Sequence, residues 1–165
     1  MDAVIKQITD TLRAATASGV PLAIRGGGTK QFYGNACHGA ALPTVAYHGI
    51  VEYEPTELVI PARAGTPLTD IEAALAEKGQ MLAFEPPHFG PTSTLGGCVA
   101  AGLSGPRRPY AGAVRDLVLG IRMLDANGTD LRFGGRVMKN VAGYDVSRLM
   151  AGSMGTLGEI GRAHV

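Results

Sequence analysis

Arg25-Gly26-Gly27-Gly28-Thr29-Lys30, Pro91-Thr92-Ser93-Thr94-Leu95-Gly96-Gly97 and Gly152-Ser153-Met154-Gly155-Thr156-Leu157-Gly158 decide how this chain of 165 residues is read. Glycines gather in this way where the backbone turns tightly or approaches a ligand too closely for any side chain. Each run adjoins an apolar segment of strand or helix character. Together they predict one long anionic ligand, touched repeatedly by backbone N–H groups arranged as nests. The 24 glycines are about twice average usage, yet they fall in discrete loops, which excludes collagen-like or low-complexity chain.

The segments around these loops read as a mixed α+β domain. Val4, Ile5, Ile8, Leu12 and Ala15 recur at helical spacing and predict an amphipathic helix before Gly19. Pro21 to Arg25 is a short apolar strand feeding the first loop. Val45 to Tyr53 and Glu57 to Ala64 read as two strands broken at Glu54-Pro55-Thr56. Thr66 is expected to cap a helix that carries Pro67 at its first position, Leu68, Ile71 and Leu75 on its inner face, and Gly79 at its end. Gln80 to Phe84 reads as a short strand, Gly97 to Gly102 as a tightly packed helical turn, and Tyr144 to Met150 as one or two turns of helix. Asn127-Gly128 between Leu117–Asp125 and Thr129–Phe133 is the strongest hairpin signal. Strands outnumber helices and their order is not strictly βαβ.

Composition removes several classes of function. A formal net charge of +1 gives no electrostatic case for nucleic acid or a membrane surface, and the absence of Trp argues against base stacking. Cys37 and Cys98 have no metal or cluster spacing, and His38, His48, His88 and His164 are isolated along the chain, so no metal site is expected. No apolar run approaches the ~18 residues of a transmembrane segment, and Met1 to Lys6 lacks a signal-peptide core. A cytoplasmic protein is the expectation.

Three familiar motifs fail on inspection. A P-loop requires Gly before its Lys, and Thr29 stands there. A dinucleotide-fold loop requires a third glycine where Gln31 stands. Ala151-Gly152-Ser153-Met154-Gly155 imitates a serine-hydrolase elbow, but the expected element order is reversed and no His–acid partner is identifiable. Asp116 and Asp145 lie beside Arg115 and Arg148, which suits ion pairs or caps better than acid–base work. Lys139-Asn140 reads equally well as a turn or a ligand contact.

In this order and spacing the loops resemble the FAD-linked oxidase (PCMH-type) domain of the vanillyl-alcohol-oxidase family, from about Pro21 to Gly158. Longer strings resemble the FAD-binding subunits of bacterial glycolate oxidases. These are Phe89 to Gly97, Ser104-Gly105-Pro106-Arg107-Arg108-Pro109-Tyr110, Val114 to Gly120, Val137 to Asp145 and Ser147-Arg148-Leu149-Met150. The resemblance implies two α+β subdomains divided near residues 85–95, with FAD extended between them. It further implies cofactor contacts from Arg25, Gly26, Gly27, Gly28, Thr29 and Lys30; from Pro91, Thr94, Leu95, Gly96, Gly97, Ala101 and Gly102; and from Gly152, Ser153, Gly155, Thr156, Leu157 and Gly158. Some relatives tether flavin through a His in the first loop. Thr29 stands near that place, so the expectation is non-covalent FAD.

The same resemblance implies oxidation of a 2-hydroxy acid, glycolate to glyoxylate, by hydride transfer to the flavin. It implies paralogous flavoprotein and iron–sulfur subunits as partners, and inner-membrane association only through them. Another FAD-linked enzyme such as a D-lactate dehydrogenase, or a non-catalytic flavin-binding scaffold subunit, are the alternatives. No catalytic residue is identified; Arg107 and Arg108 fit a carboxylate clamp or a structural role.

The final residues, Glu159-Ile160-Gly161-Arg162-Ala163-His164-Val165, are expected to be foreign. Back-translated, they can be written GAG ATC GGA AGA GCA CAC GTC, which contains a widely used sequencing adapter, AGATCGGAAGAGCACACGTC. The family pattern also expects an apolar residue where Glu159 stands. On this reading residues 1–158 are the FAD-binding domain of a truncated fragment. The substrate or cap domain is then missing, and the lost last strand leaves an unpaired sheet edge.

Overall fold

The computed structural model describes residues 3–135 and 143–165. Helix α1 (Ala3–Ser18) lays Ile5, Ile8, Leu12 and Ala15 against the core, as their spacing predicts. It ends at Gly19, whose φ of 67° lets the Val20 N–H turn back to the Ala15 carbonyl. Strand β1 (Leu22–Arg25) pairs in parallel with β2 (Ala40–Pro43), from Leu22 opposite Ala40 to Arg25 opposite Pro43. Leu42, Tyr47 and Leu124 join the α1 face in one apolar cluster.

The second sheet has four strands in the order β3-β6-β4-β5, all neighbours antiparallel. Its members are β3 (Pro61–Arg63), β4 (Gly120–Leu124), β5 (Asp130–Gly134) and β6 (Glu159–His164). Helices α2 (Leu68–Ala76) and α3 (Leu95–Ala101) cover it, and α5 (Val114–Leu117) and α6 (Val146–Met150) pack beside them. The short α4 (Arg108–Ala111) presents Tyr110 almost wholly to solvent. Leu68, Ile71, Phe84, Leu95, Val99, Val114, Ile121 and Ile160 share the main core.

Several elements depart from expectation. Val45 to Tyr53 is not a strand; it runs irregularly, with a single bridge from Ile50 to Ala62, while β2 forms upstream of it. Pro55–Glu57 is a turn of 3-10 helix, because proline sets its first position and the Glu54 carboxylate accepts from Thr56 N–H. Gln80 to Phe84 is also not a strand; it is held by burial of Leu82 and Phe84 rather than by pairing. Pro67, not Thr66, precedes α2, and the Thr66 hydroxyl instead bonds the Gly49 backbone.

The hairpin is where Asn127-Gly128 predicted it, but its turn is longer than two residues. The Asp125 carboxylate accepts from both Asn127 and Thr129 N–H, at 2.8 and 2.7 Å, closing an Asx-type loop. Those bonds, the one from Thr129 foremost, hold the Asp125 carboxyl below the usual carboxylate range.

The expected loss of a final strand is corrected by β6. It lies between β3 and β4, with Ala62 opposite Ala163 on one side and Ile121 opposite Ala163 on the other. β3 precedes residues 85–95 and β6 follows them, so the larger sheet and its core draw on both sides of that expected boundary.

Candidate cofactor-binding site

The first two glycine loops interlock. β1 delivers the chain into Arg25–Lys30, and α3 begins immediately after Pro91–Thr94. A Cβ on Gly27 would sit 1.5 Å from the Thr92 carbonyl oxygen, so only glycine permits this approach. Gly26 is less tightly held, a Cβ there standing 2.6 Å from the Thr94 hydroxyl. Thr92 Oγ1 donates to the Gly27 carbonyl at 2.8 Å, fixing the contact from the other side.

A small polar knot locks the next residues. The Thr29 and Ser93 hydroxyls are 2.8 Å apart, Lys30 Nζ donates to Ser93 Oγ at 3.1 Å, and Ser93 Oγ donates to the His88 carbonyl. His88 Nε2 lies 3.0 Å from Glu72 Oε1 on α2, so this histidine is not isolated as its sequence position suggested. Partial burial holds the Lys30 ammonium below the usual lysine range, while the charge of a Cys98 thiolate would act the other way. Burial pushes the Cys98 thiol itself up to about 12, so it stays a thiol at neutral pH.

The third loop leaves α6 and crosses the C-terminal end of α3. Gly152 N–H donates to the Val99 carbonyl and Met154 N–H to Ala100, both at 2.9 Å, satisfying carbonyls that the helix end would leave open. Gly102, at φ 67°, ends α3 and approaches Gly152 so closely that a Cβ would stand 2.8 Å from the Gly152 Cα. Gly155 then packs near Ile24 of β1, bringing the third loop beside the strand that feeds the first. Between them and α1 lies a cleft of about 360 Å³ lined by Leu12, Ile24, Leu124, Thr156, Leu157 and Gly158, among others.

The donor inventory fits an extended phosphate-bearing ligand at the first loop. The peptide N–H groups of Gly27, Gly28, Thr29 and Lys30 donate to no other described residue, although the loop is half-buried. Unmet donors in such a place call for an acceptor. Arg25 folds back over Gly28, adding positive charge beside those donors. In the third loop the buried Ser153 hydroxyl also has no partner among the described residues. The second loop differs. Leu95 N–H is committed to Thr66, Gly96 to Ala64 and Gly97 to the Thr94 hydroxyl, while Leu95 and Ala101 are buried. Pro91 is exposed at the start of this loop. Thr94 caps α3, so the loop is chiefly the wall against which the first is shaped.

A model of the FAD binding domain matches residues 4–134 of this chain. The chain belongs to that family. It is 56% identical over 151 residues to glycolate oxidase subunit GlcE of Escherichia coli (strain K12), covering 92% of this chain and 43% of that protein. It is 33% identical over 161 residues to glycolate oxidase subunit GlcD of Bacillus subtilis (strain 168), covering 96% and 34%. The chain thus spans less than half the length of these relatives. Among solved structures, an alkyldihydroxyacetonephosphate synthase superposes with a TM-score of 0.74 over 96% of this chain and 29% of its own, at 22% identity, which shows the shared fold. The α+β architecture and the FAD-type cofactor expected from the loops are both supported by this membership.

Asp116 and Asp145 prove structural. Asp116 Oδ2 accepts from Ala113 N–H at 3.1 Å, and Asp145 caps α6 through Arg148 N–H at 3.1 Å. Arg107 donates its N–H to Glu85, and its guanidinium lies by Met81. Lys139-Asn140 and the string 136–142 lie outside the described residues. Among the described residues no cluster of His, Cys, Asp and Glu is arranged to hold a metal, and no helix is long and apolar enough to cross a membrane. The residues that sequence reasoning passed over are Ser93 and His88. The only signal for them was their place in and beside the second loop.

Proposed function

We propose that this chain is the cofactor-holding part of a glycolate oxidase subunit, in an FAD-dependent oxidation of a 2-hydroxy acid. The 56% identity to GlcE across 92% of the chain carries this reading. When bound, FAD supplies the hydride acceptor for the C2–H of the substrate. The chain's own residues bind and orient. Gly26 to Lys30 receive the pyrophosphate on free amides, with Arg25 and Lys30 adding charge. Pro91, Thr94, Leu95, Gly96, Gly97, Ala101 and Gly102 form the wall that holds the first loop in shape. Gly152, Ser153, Gly155, Thr156, Leu157 and Gly158 close over the cofactor from the other side. Thr29 cannot form the tether a histidine would, so the flavin is dissociable.

The substrate, the iron–sulfur and paralogous flavoprotein partners, and any inner-membrane association through them belong to the whole protein. The existence of two differently named glycolate oxidase subunits among the relatives favours a second reading as well. In it, the flavin held here structures the complex while the other subunit oxidises substrate. Anaerobic mixing of the full-length subunit with glycolate separates the two. Bleaching of the flavin's visible band supports catalysis here; an unchanged band with glycolate leaves the scaffold role, and bleaching by D-lactate alone reassigns the substrate.

We also infer that residues 1–158 are the native FAD-binding unit and that 159–165 are foreign. The adapter-like coding possibility is supported by chemistry at its first residue. Glu159 is 1% exposed at the start of β6, and its Oε2 has no partner among the described residues. An apolar residue would suit the position. Codons in the coding DNA that differ from the adapter string sink this inference.

A further inference from the structure

Beside the first two loops lies a patch of large side chains that the cofactor assignment does not use. Phe32 follows the first loop and is 67% exposed; Phe89 precedes the second and is 53% exposed. Their rings nonetheless touch edge to face, with centroids 5.0 Å apart and planes at 71°. Met154 of the third loop turns its Cε toward Gly34, two residues beyond Phe32. Two of these residues hold unusual backbone: Phe89 at φ 54° and Met154 at φ 53°. For a bulky side chain the left-handed region is costly, and such residues concentrate where function demands a fixed geometry.

Neighbouring contacts explain how Phe89 is held there. Ser93 Oγ bonds the His88 carbonyl, and His88 is anchored to Glu72 of α2. Thr29 packs its methyl toward Gly90, so the first loop braces the turn just after Phe89. Lys30 Nζ lies 5.9 Å from the Phe89 ring centroid while bonding Ser93. The aromatic pair therefore directly adjoins the cation and amides that suit a pyrophosphate. Phe89, exposed and fixed in braced left-handed backbone with Phe32 set edge to face beside it, has the character of a contact for a planar group.

We propose that Phe32 and Phe89 are positioning residues that pack against the isoalloxazine ring of the bound FAD. This rests on the FAD-binding reading above and adds to it which side chains set the ring. The isoalloxazine suits the patch better than the adenine does. Its dimethyl-substituted benzenoid end is apolar and covers exposed phenyl rings, whereas the edges of adenine carry ring nitrogens and an amine. A second copy of the chain or a partner protein would cover the patch without regard to flavin.

The test uses the whole 165-residue chain carrying Phe32→Ala, Phe89→Ala or both, titrated with FAD and, separately, with ADP. Both side chains are largely exposed, so melting of the flavin-free variants should match the parent and shows that each folds. The expected result is roughly a tenfold weaker FAD affinity in the double variant, with bound-flavin fluorescence less quenched and ADP affinity unchanged. A Phe89→Tyr variant should restore both readouts. Loss of ADP affinity with an unaltered flavin spectrum would place the pair at the adenine and overturn the proposal. So would unchanged FAD affinity and fluorescence, which leaves FAD binding itself standing. Failure of the unsubstituted chain to bind FAD removes the cofactor reading, and the pair's role with it.

Discussion

The interlocked first and second loops and the strand β6 are both well bonded, yet they relate to their sequence in opposite ways. Where Gly27 meets Thr92, residue type, backbone and neighbour all agree, and a single added methyl group has nowhere to go. In β6 the backbone is equally well satisfied, paired on both sides by β3 and β4. Its first side chain, however, is a carboxylate sealed in the core with an oxygen unpaired. Backbone hydrogen bonding is indifferent to residue type, so a strand can be fully paired whatever its side chains carry. Side-chain chemistry is not indifferent, and a buried acid carries a cost that the paired backbone does not remove.

The largest break in this contrast should come from Gly27→Ala. With a Cβ placed 1.5 Å from a backbone oxygen, one of the two loops must move. Thermal or denaturant unfolding should record a loss of about 3 kcal/mol or more, together with loss of FAD binding. A variant that melts with the parent would mean the loops are not interlocked.

Glu159→Val sharpens the other side, because it should stabilise. Burial pushes the Glu159 carboxyl up to about 7 from its ordinary 4.5, with the Arg122 charge opposing weakly. The fold therefore prefers the protonated acid. Below pH 4.5 both states hold the proton and the burden vanishes; it grows as pH rises toward 7 and is then constant at roughly 3 kcal/mol. Unfolding at pH 8 and pH 4 should show the gain from Glu159→Gln at the higher pH only. A gain equal at both would mean the carboxylate is not buried in the folded chain.

A smaller effect is expected at the surface of the same sheet. Asp130 accepts from Arg122 Nε and Nη2 at 2.8 and 2.6 Å, and these bonds hold its carboxyl below the usual range. Asp130→Asn should cost about 1 kcal/mol near neutral pH, the difference closing as pH falls below the ordinary 3.8. Equal stability at neutral pH would show the pair contributes nothing. Smallest of all is a labelling difference. Cys37 is exposed and Cys98 buried, so a thiol reagent should modify one cysteine in the folded chain and both after denaturation.

Much of this was legible in the sequence, for identifiable reasons. Helix α1, the Asn127-Gly128 hairpin and the three loops announced themselves through periodicity and glycine placement, which are local properties. Val45 to Tyr53 misled because its β-branched residues Val45, Ile50 and Val51 are left exposed and only Tyr47 is buried, without a partner strand. The knot of Thr29, Lys30, Ser93, His88 and Glu72 was not legible, since it joins residues far apart in the chain. The edge-to-face contact of Phe32 with Phe89 was hidden for the same reason.

The central claim is that the three glycine loops hold one non-covalent FAD. It is tested most directly by titrating the purified chain with FAD and then denaturing the complex. The expected result is saturation at one flavin per chain, sharply weakened by Gly27→Ala, with all flavin released into solution on denaturation. Failure to bind, or flavin that stays with the denatured protein, would contradict it.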